Sequence, residues 1–371
     1  MMENVKITHV DIYKFDIPFW EPFVISLGPI TCANNIVVKI NTDNDLYGFG
    51  ECSTITYISG ESQETEFILA QSFARLLKGK DPFAIEERLR EMDQAIAGNY
   101  TLKSAFDMAL YDLLAKRAGM PLFRLLGGSN TKHIHTDMTV SINTPDYMAQ
   151  KALKYKNDGF QALKVKLGTT TETDVARIKA IREAVGADIP LRIDANQGWD
   201  PVTAIKTLKA LEPYDIEHCE EPVKHWNNRE LARVRANSPI PIMADESLFT
   251  HHDAFRLAAM GACNYFNVKL SKSGGIYNAL KICDIAEGAG IKCQVGCMNE
   301  SRFALTALTH LASSKDIIVH YDIDSSYQHT VDPVIGGIEN IGCGEWKLPE
   351  MPGIGADFDP TYLAGMESVT I

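Results

Sequence analysis

Between residues 134 and 321, short apolar runs alternate with helix-like segments, and this alternation constrains the fold more than any other feature of the chain. The apolar runs are 134–141, 162–167, 191–195, 216–220, 242–245, 265–270, 293–296 and 317–321. Their length and β-branched content predict strands. The intervening segments carry the 3.6-residue period, as in Val175, Ile178, Ile181 and Val185, a helix closed by Gly186. Eight strands with helices between them predict a parallel sheet rolled into an α/β barrel. A doubly wound open sheet is the alternative, weakened because no G-x-G-x-x-G follows an early strand.

Before the barrel, runs 5–17 and 35–50 read as antiparallel strands, the second broken by Asp43-Asn44-Asp45. Over 101–118, Leu102, Ala105, Phe106, Ala109, Leu110, Leu113 and Leu114 predict a helix, closed by Gly119 and Pro121. The first 125 or so residues therefore read as α+β. After about residue 340 the pattern lapses into loops rich in Gly and Pro. With 371 residues, 45% of them hydrophobic, the chain can bury a large core. Its formal charge of −12 argues against nucleic-acid or anionic-membrane partners. Residues 1–15 mix charges with apolar residues and predict no signal peptide. No apolar run reaches the ~20 residues that cross a bilayer. Eight scattered cysteines without a C-x-x-C read as reduced, buried thiols of a cytoplasmic protein.

Polar residues gather where the strands end. Lys164 and Lys166 lie on the second strand, Asp194 and Asn196 on the third, Glu220 and Glu221 on the fourth, and Asp245 and Glu246 on the fifth. Lys269 and Lys272 close the sixth, and Asp322 and Asp324 the eighth. One aspartate at a strand end is more often a helix cap. Charged ends on six strands converging on the mouth of a barrel point to an active site. Asp194, Glu220 and Asp245 would repel one another there unless a hard divalent cation joined them. Carboxylate oxygens suit Mg²⁺, and the lack of clustered His and Cys ligands argues against zinc. Glu221 and Glu246 alternate to the other side and read as supporting or salt-bridge partners. Lys164 and Lys166 leave one face of their strand, and Lys269 approaches the same mouth from the sixth strand. A cation-rich site lowers a lysine pKa, which lets two lysines serve as general acid and base on opposite sides of a carbon.

These residues carry a family resemblance. Lys164-Val165-Lys166 is similar to the K-x-K motif of the muconate-lactonizing branch of the enolase superfamily. Leu191–Asn196, Glu220-Glu221-Pro222 and Ala244-Asp245-Glu246-Ser247 resemble its three metal-ligand motifs, and Asn267-Val268-Lys269-Leu270 its second-lysine strand. Ala109, Asp112, Lys116, Pro121, Leu126 and Gly127-Gly128 resemble the helix that precedes its barrel. The resemblance implies an α+β capping domain (1–128), a modified TIM barrel of (β/α)₇β form (129–340), and a C-terminal segment (341–371) that packs with the cap. It implies one Mg²⁺ per subunit on Asp194, Glu220 and Asp245, Lys166 and Lys269 as the acid/base pair, and Lys164 near the substrate carboxylate.

The branch includes cycloisomerases, o-succinylbenzoate synthases, N-acylamino-acid racemases and dipeptide epimerases. Asp322 and Asp324 resemble the D-x-D motif with which the dipeptide epimerases hold a free ammonium. A cation in a closed site needs such partners. Cys297, Asn299 and Thr139 match positions that touch the substrate. Members acting on L-Ala-D/L-Glu carry a basic residue where this chain has Gly28, and residues 21–30 hold no Lys or Arg. With Phe19, Trp20, Phe23 and Tyr57 near that loop, a neutral or apolar second residue is the expectation. Gly28 and Tyr57 mark the expected specificity loops. An N-acylamino-acid racemase or o-succinylbenzoate synthase stays open as the nearest alternative. A Schiff-base lyase or a non-catalytic binding protein is more distant. A homo-oligomer is compatible with the sequence.

Overall fold

Two long strands, β1 (Ile7–Ile25) and β2 (Gly28–Thr42), open the computed structural model, which describes residues 5–371. The first four residues of the segment read above for a signal peptide lie outside the described part. The hairpin pairs Ile7 with Thr42 and Ile25 with Gly28. β3 (Tyr47–Cys52) joins β2 after the expected turn. The helix Tyr100–Ala118 lies on β3, where a Cβ at Gly48 or Gly50 would run into the carbonyls of Ala109 and Ala105. Only glycine permits so close an approach, so these two residues set the depth at which the helix seats.

β4 (Ile134–His135) leads into the barrel strands β5 (Met138–Val140), β6 (Leu163–Lys166), β7 (Leu191–Asp194), β8 (Ile216–Glu220), β9 (Ile242–Ala244), β10 (Tyr265–Val268), β11 (Lys292–Gly296) and β12 (Ile318–Asp322). They pair in sequence order, every ladder parallel. A helix of at least ten residues follows each strand from β5 to β11, whereas a short 3₁₀ turn, Ser325–Gln328, follows β12. This is a (β/α)₇β barrel. The run 134–141 is not one strand but two. At the break, the Asp137 N–H donates to Tyr321 O and the Ile323 N–H to Thr136 Oγ1. Thr136 and Asp137 thus bind the chain on either side of β12's end and help close the barrel.

The C-terminal stretch departs from the expected loops. β13 (Val334–Gly336), β14 (Glu339–Gly342), β15 (Glu345–Lys347), β16 (Ala356–Phe358) and β17 (Ser368–Thr370) form small ladders, and the helix Pro360–Ala364 lies before the last. Three- and four-residue strands show no periodicity, and two of them pair far away in sequence: β15 with β4 and β17 with β1. Phe358 meets Phe15 at 5.1 Å and Phe49 at 5.3 Å between ring centres, which seats this segment against the N-terminal sheet. All eight cysteines are free and six are buried, but Cys343 is exposed on the β14–β15 turn, contrary to the uniform burial expected. No helix among the described residues is long and apolar enough to cross a membrane.

Candidate active site

Several barrel strands deliver polar side chains at or just past their C-terminal ends to one mouth. Asp194, Glu220 and Asp245 come from β7, β8 and just past β9, all fully or almost fully buried. Ligand oxygens of the three lie within 4.8 Å of one another. The backbone departs from ordinary strand geometry beside them: Asn196, Gln197 and Glu221 have φ of 40°, 66° and 34°. Non-glycine residues rarely adopt such values, and they cluster where function holds them.

The lysines enter from either side of this trio. β6 and β10 are the strands that flank β7, β8 and β9; Lys166 ends β6 and Lys269 follows β10 directly, and both are buried. Lys166 donates to Asp194 Oδ2 at 2.7 Å, and Lys269 to Asp245 Oδ2 at 2.8 Å. Lys164 sits deeper, 2.7 Å from Asp322 Oδ2, 2.8 Å from Glu220 Oε2 and 3.3 Å from Asp194 Oδ2. Burial alone would push Lys269 down, but Asp245 and Glu220 outweigh it and hold the ammonium above its ordinary range. The lowering expected from the sequence belongs to the cation-loaded site. A lowered value requires a dication to take up those carboxylates and cancel their field at the ammonium.

The residues behind the trio fix its orientation. Glu221 accepts from the Asp245 N–H at 2.8 Å, the Ser247 N–H at 3.1 Å and the Ser247 hydroxyl. Glu246 accepts from Asn196 and Gln197, each at 3.2 Å. Asn267 Nδ2 donates to Glu220 Oε1 at 2.9 Å. Lys272 is fully buried and donates to the carbonyls of Asp245, Leu248 and Asn267, each at 2.7 Å. Asp245 Oδ1 is buried and accepts no hydrogen bond, although the Lys272 ammonium is 3.0 Å away. An all-oxygen set with a spare buried acceptor fits Mg²⁺.

The pocket above these groups is lined by Lys166, Lys269, Asn196, Thr139, Cys297, Asn299, Asp322 and Asp324. Asp324 accepts from the Thr139 N–H at 2.8 Å and from Cys297 Sγ at 3.6 Å. Asp322 is partly engaged, because its Oδ2 holds Lys164. The roof comes from two segments: the β1–β2 hairpin, with Phe23, Ile25 and Ile30, and the short helical turn after β3, with Ile55 and Ile58. Ser26 ties that roof to the barrel by donating to Asn196 O at 2.7 Å. Gly28 and Tyr57 belong to these two roof segments but are not among the lining residues. Gly28 turns the hairpin at φ 135°, and Tyr57 is 44% exposed.

Sequence reasoning missed Glu51. This buried carboxylate at the end of β3 accepts from the Ser301 N–H at 2.8 Å, the Ser301 hydroxyl at 2.6 Å and Asn35 Nδ2 at 2.8 Å. Asn35 Nδ2 also donates to Asn299 O at 3.1 Å. The N-terminal sheet thereby holds the loop that carries Cys297 and Asn299. The one available signal was an acid inside an otherwise apolar strand, Gly48-Phe49-Gly50-Glu51-Cys52.

With both lysines and an acidic pair lining one pocket and a metal-fitting trio beneath it, the arrangement can hold a carboxylate and move a proton at the adjacent carbon. Two family models match: the mandelate racemase / muconate lactonizing enzyme N-terminal domain over residues 7–127, and an enolase C-terminal domain-like unit over 147–362. The chain is 48% identical to a D-Ala-D/L-Ala epimerase of Cytophaga hutchinsonii, covering 98% of this chain and 99% of that one. The dipeptide epimerase of that organism, solved with Mg and the dipeptide D-Ala-L-Val, superposes with a TM-score of 0.98 over 99% of this chain and 100% of its own. An Enterococcus faecalis dipeptide epimerase, solved with Mg and L-Leu-L-Tyr, is 40% identical with a TM-score of 0.92, covering 95% of this chain and 99% of that one. The chain belongs to the mandelate racemase / muconate lactonizing enzyme family of the enolase superfamily.

Proposed function

We propose that the protein is a dipeptide epimerase, an isomerase that inverts the α-carbon of the C-terminal residue of a dipeptide by two-lysine proton transfer. The observation that carries this reading is that one pocket holds both Lys166 and Lys269 and also the Asp322/Asp324 pair. Asp194, Glu220 and Asp245 would hold Mg²⁺. When bound, the ion stabilises negative charge that builds on the substrate carboxylate as the α-proton leaves. Lys164 adds a fixed positive charge beneath that carboxylate. Nζ of one lysine takes the α-proton, and Nζ of the other returns a proton from the opposite side. Asp322 and Asp324 receive the free N-terminal ammonium. Cys297, Asn299 and Thr139 line the peptide unit.

The walls Phe23, Ile25, Ile30, Ile55 and Ile58, together with Met298, offer no cation to an acidic side chain. They favour a neutral or apolar second residue. The same reading divides the chain into a cap (1–128 with 341–371) and a barrel (129–340). It places the enzyme in the cytoplasm, where eight free thiols stay reduced. The test is α-proton exchange in D₂O, followed by NMR, with free and N-acetylated dipeptides. Acetylation is expected to lower kcat/KM by roughly 30-fold or more, the cost of losing a desolvated charge partner. Equal turnover of both forms would overturn the reading in favour of an N-acylamino-acid racemase, whose substrates carry no ammonium.

A further inference from the structure

A second group of ligand-type side chains lies outside the active site, where the C-terminal hairpin meets β4. His133 and His135 are two residues apart on an extended segment, so their rings leave the same face. On the neighbouring strand β15, Glu345 stands directly opposite His135 in the ladder. The Glu345 carboxylate reaches between the rings: Oε1 is 2.7 Å from His133 Nδ1, and Oε2 is 3.9 Å from His135 Nε2. The three ligand atoms all lie within 4.8 Å of one another.

We propose that His133, His135 and Glu345 form a transition-metal site that binds Zn²⁺, independent of the Mg²⁺ site. Two imidazoles and a carboxylate are borderline donors, suited to zinc rather than to Mg²⁺. Bonds of about 2.0–2.2 Å to a tetrahedral ion put neighbouring donors ~3.4 Å apart, so the observed spacing needs only small side-chain shifts. The other side chains leave the position open. Glu345 makes ion pairs with these two histidines and with no lysine or arginine among the described residues. His135 turns Nε2 toward Glu345, 3.9 Å from Oε2, and its Nδ1 is buried without a hydrogen-bond partner. The comparable group Glu217, His218 and His320 is different. There Arg192 already holds Glu217 at 2.8 Å and His320 Nδ1 at 3.0 Å, filling the position an ion would take. His133 is 83% exposed, which leaves the outer side of the site to water or a further ligand.

Occupation would tie β4, at the entry to the barrel, to β15 of the C-terminal segment. The test titrates Zn²⁺ into the full-length, Mg²⁺-saturated protein by calorimetry. One Zn²⁺ per chain is expected. His133→Ala and His135→Ala should each weaken it at least tenfold, with Mg²⁺-dependent turnover unchanged in His133→Ala. Asp245→Asn, which disables the Mg²⁺ site, should leave Zn²⁺ binding intact. Saturating Zn²⁺ should raise the Tm of the wild type by about 3 °C and that of the histidine variants by less. His133→Ala keeps the fold testable, because its side chain is exposed. Zn²⁺ binding that survives both histidine substitutions, or that vanishes with Asp245→Asn, would overturn the proposal. So would the absence of binding, which would reduce the group to a His–carboxylate ion pair only.

Discussion

At the scale of single residues, the two lysines make separable predictions. Each is bonded to a different carboxylate, Lys166 to Asp194 and Lys269 to Asp245, from strands on opposite sides of the trio. Lys166→Ala and Lys269→Ala should both stop epimerisation, a loss of roughly 10²–10⁴. Each should still exchange the α-proton of one stereoisomer with deuterium, through the lysine that remains. Normal epimerisation by either variant, seen by chiral chromatography, would exclude the two-base scheme. Side-chain selection is better tested at a residue that lines the pocket than at Gly28. Gly28 has φ 135°, where any other side chain is strained, and a Cβ there meets no atom within 4 Å. An arginine at Gly28 would strain the turn before it could touch a substrate. Ile58 lines the pocket. Ile58→Arg should therefore raise the preference for dipeptides ending in Glu over those ending in Val about tenfold to a hundredfold, read as a ratio of kcat/KM values. An unchanged ratio would remove Ile58 from the specificity wall.

At the scale of elements, the barrel strands were legible because each is an apolar run closed by a charge, and adjacent helices carry their own period. The helix over 101–118 was legible for the same reason, and it spans Tyr100–Ala118. β15 and β17 were not, since three residues carry no pattern and their partners are far along the chain, and the break that separates β4 from β5 was hidden for the same reason. Glu51 was hidden for a related reason. Its role depends on a loop 250 residues away, and it is the link between β3 and the loop after β11. Glu51→Ala should free that loop, leaving the Ser301 N–H and hydroxyl without their acceptor. Two or more buried hydrogen bonds at about 1–2 kcal/mol each predict a fall in kcat/KM of roughly 30-fold or more, with Mg²⁺ affinity nearly unchanged. An equal loss of Mg²⁺ affinity, measured by calorimetry, would mean that the damage reaches the barrel trio instead.

At the scale of the whole molecule, His310 joins three distant parts of the chain. It lies on the helix Arg302–Ser314, accepts from the Phe123 N–H at 3.1 Å, and faces Ile354 O at 2.9 Å. It is fully buried, and burial pushes its pKa down to about 4. A base whose folded pKa lies below its unfolded value of about 6.5 contributes stability above that value and loses it as pH falls through 4. Relative to His310→Gln, which does not titrate, the wild type should lose up to ~3 kcal/mol between pH 7 and pH 4 in urea unfolding. A constant difference across that range would show that His310 is not held neutral. The sequence by itself determined the barrel, the carboxylate trio and the lysines. Those features depend on local periodicity and on side-chain alternation along single strands, which a linear chain displays. Only the tertiary structure decided that Ile25, Ile30, Ile55 and Ile58 wall the pocket and that Asp322 already holds Lys164. It also decided that Glu51 holds a distant loop and that two histidines share a glutamate. These are contacts between residues 100 or more apart in sequence. What creates them is the closure of the barrel and the seating of the N-terminal sheet, which no local pattern encodes.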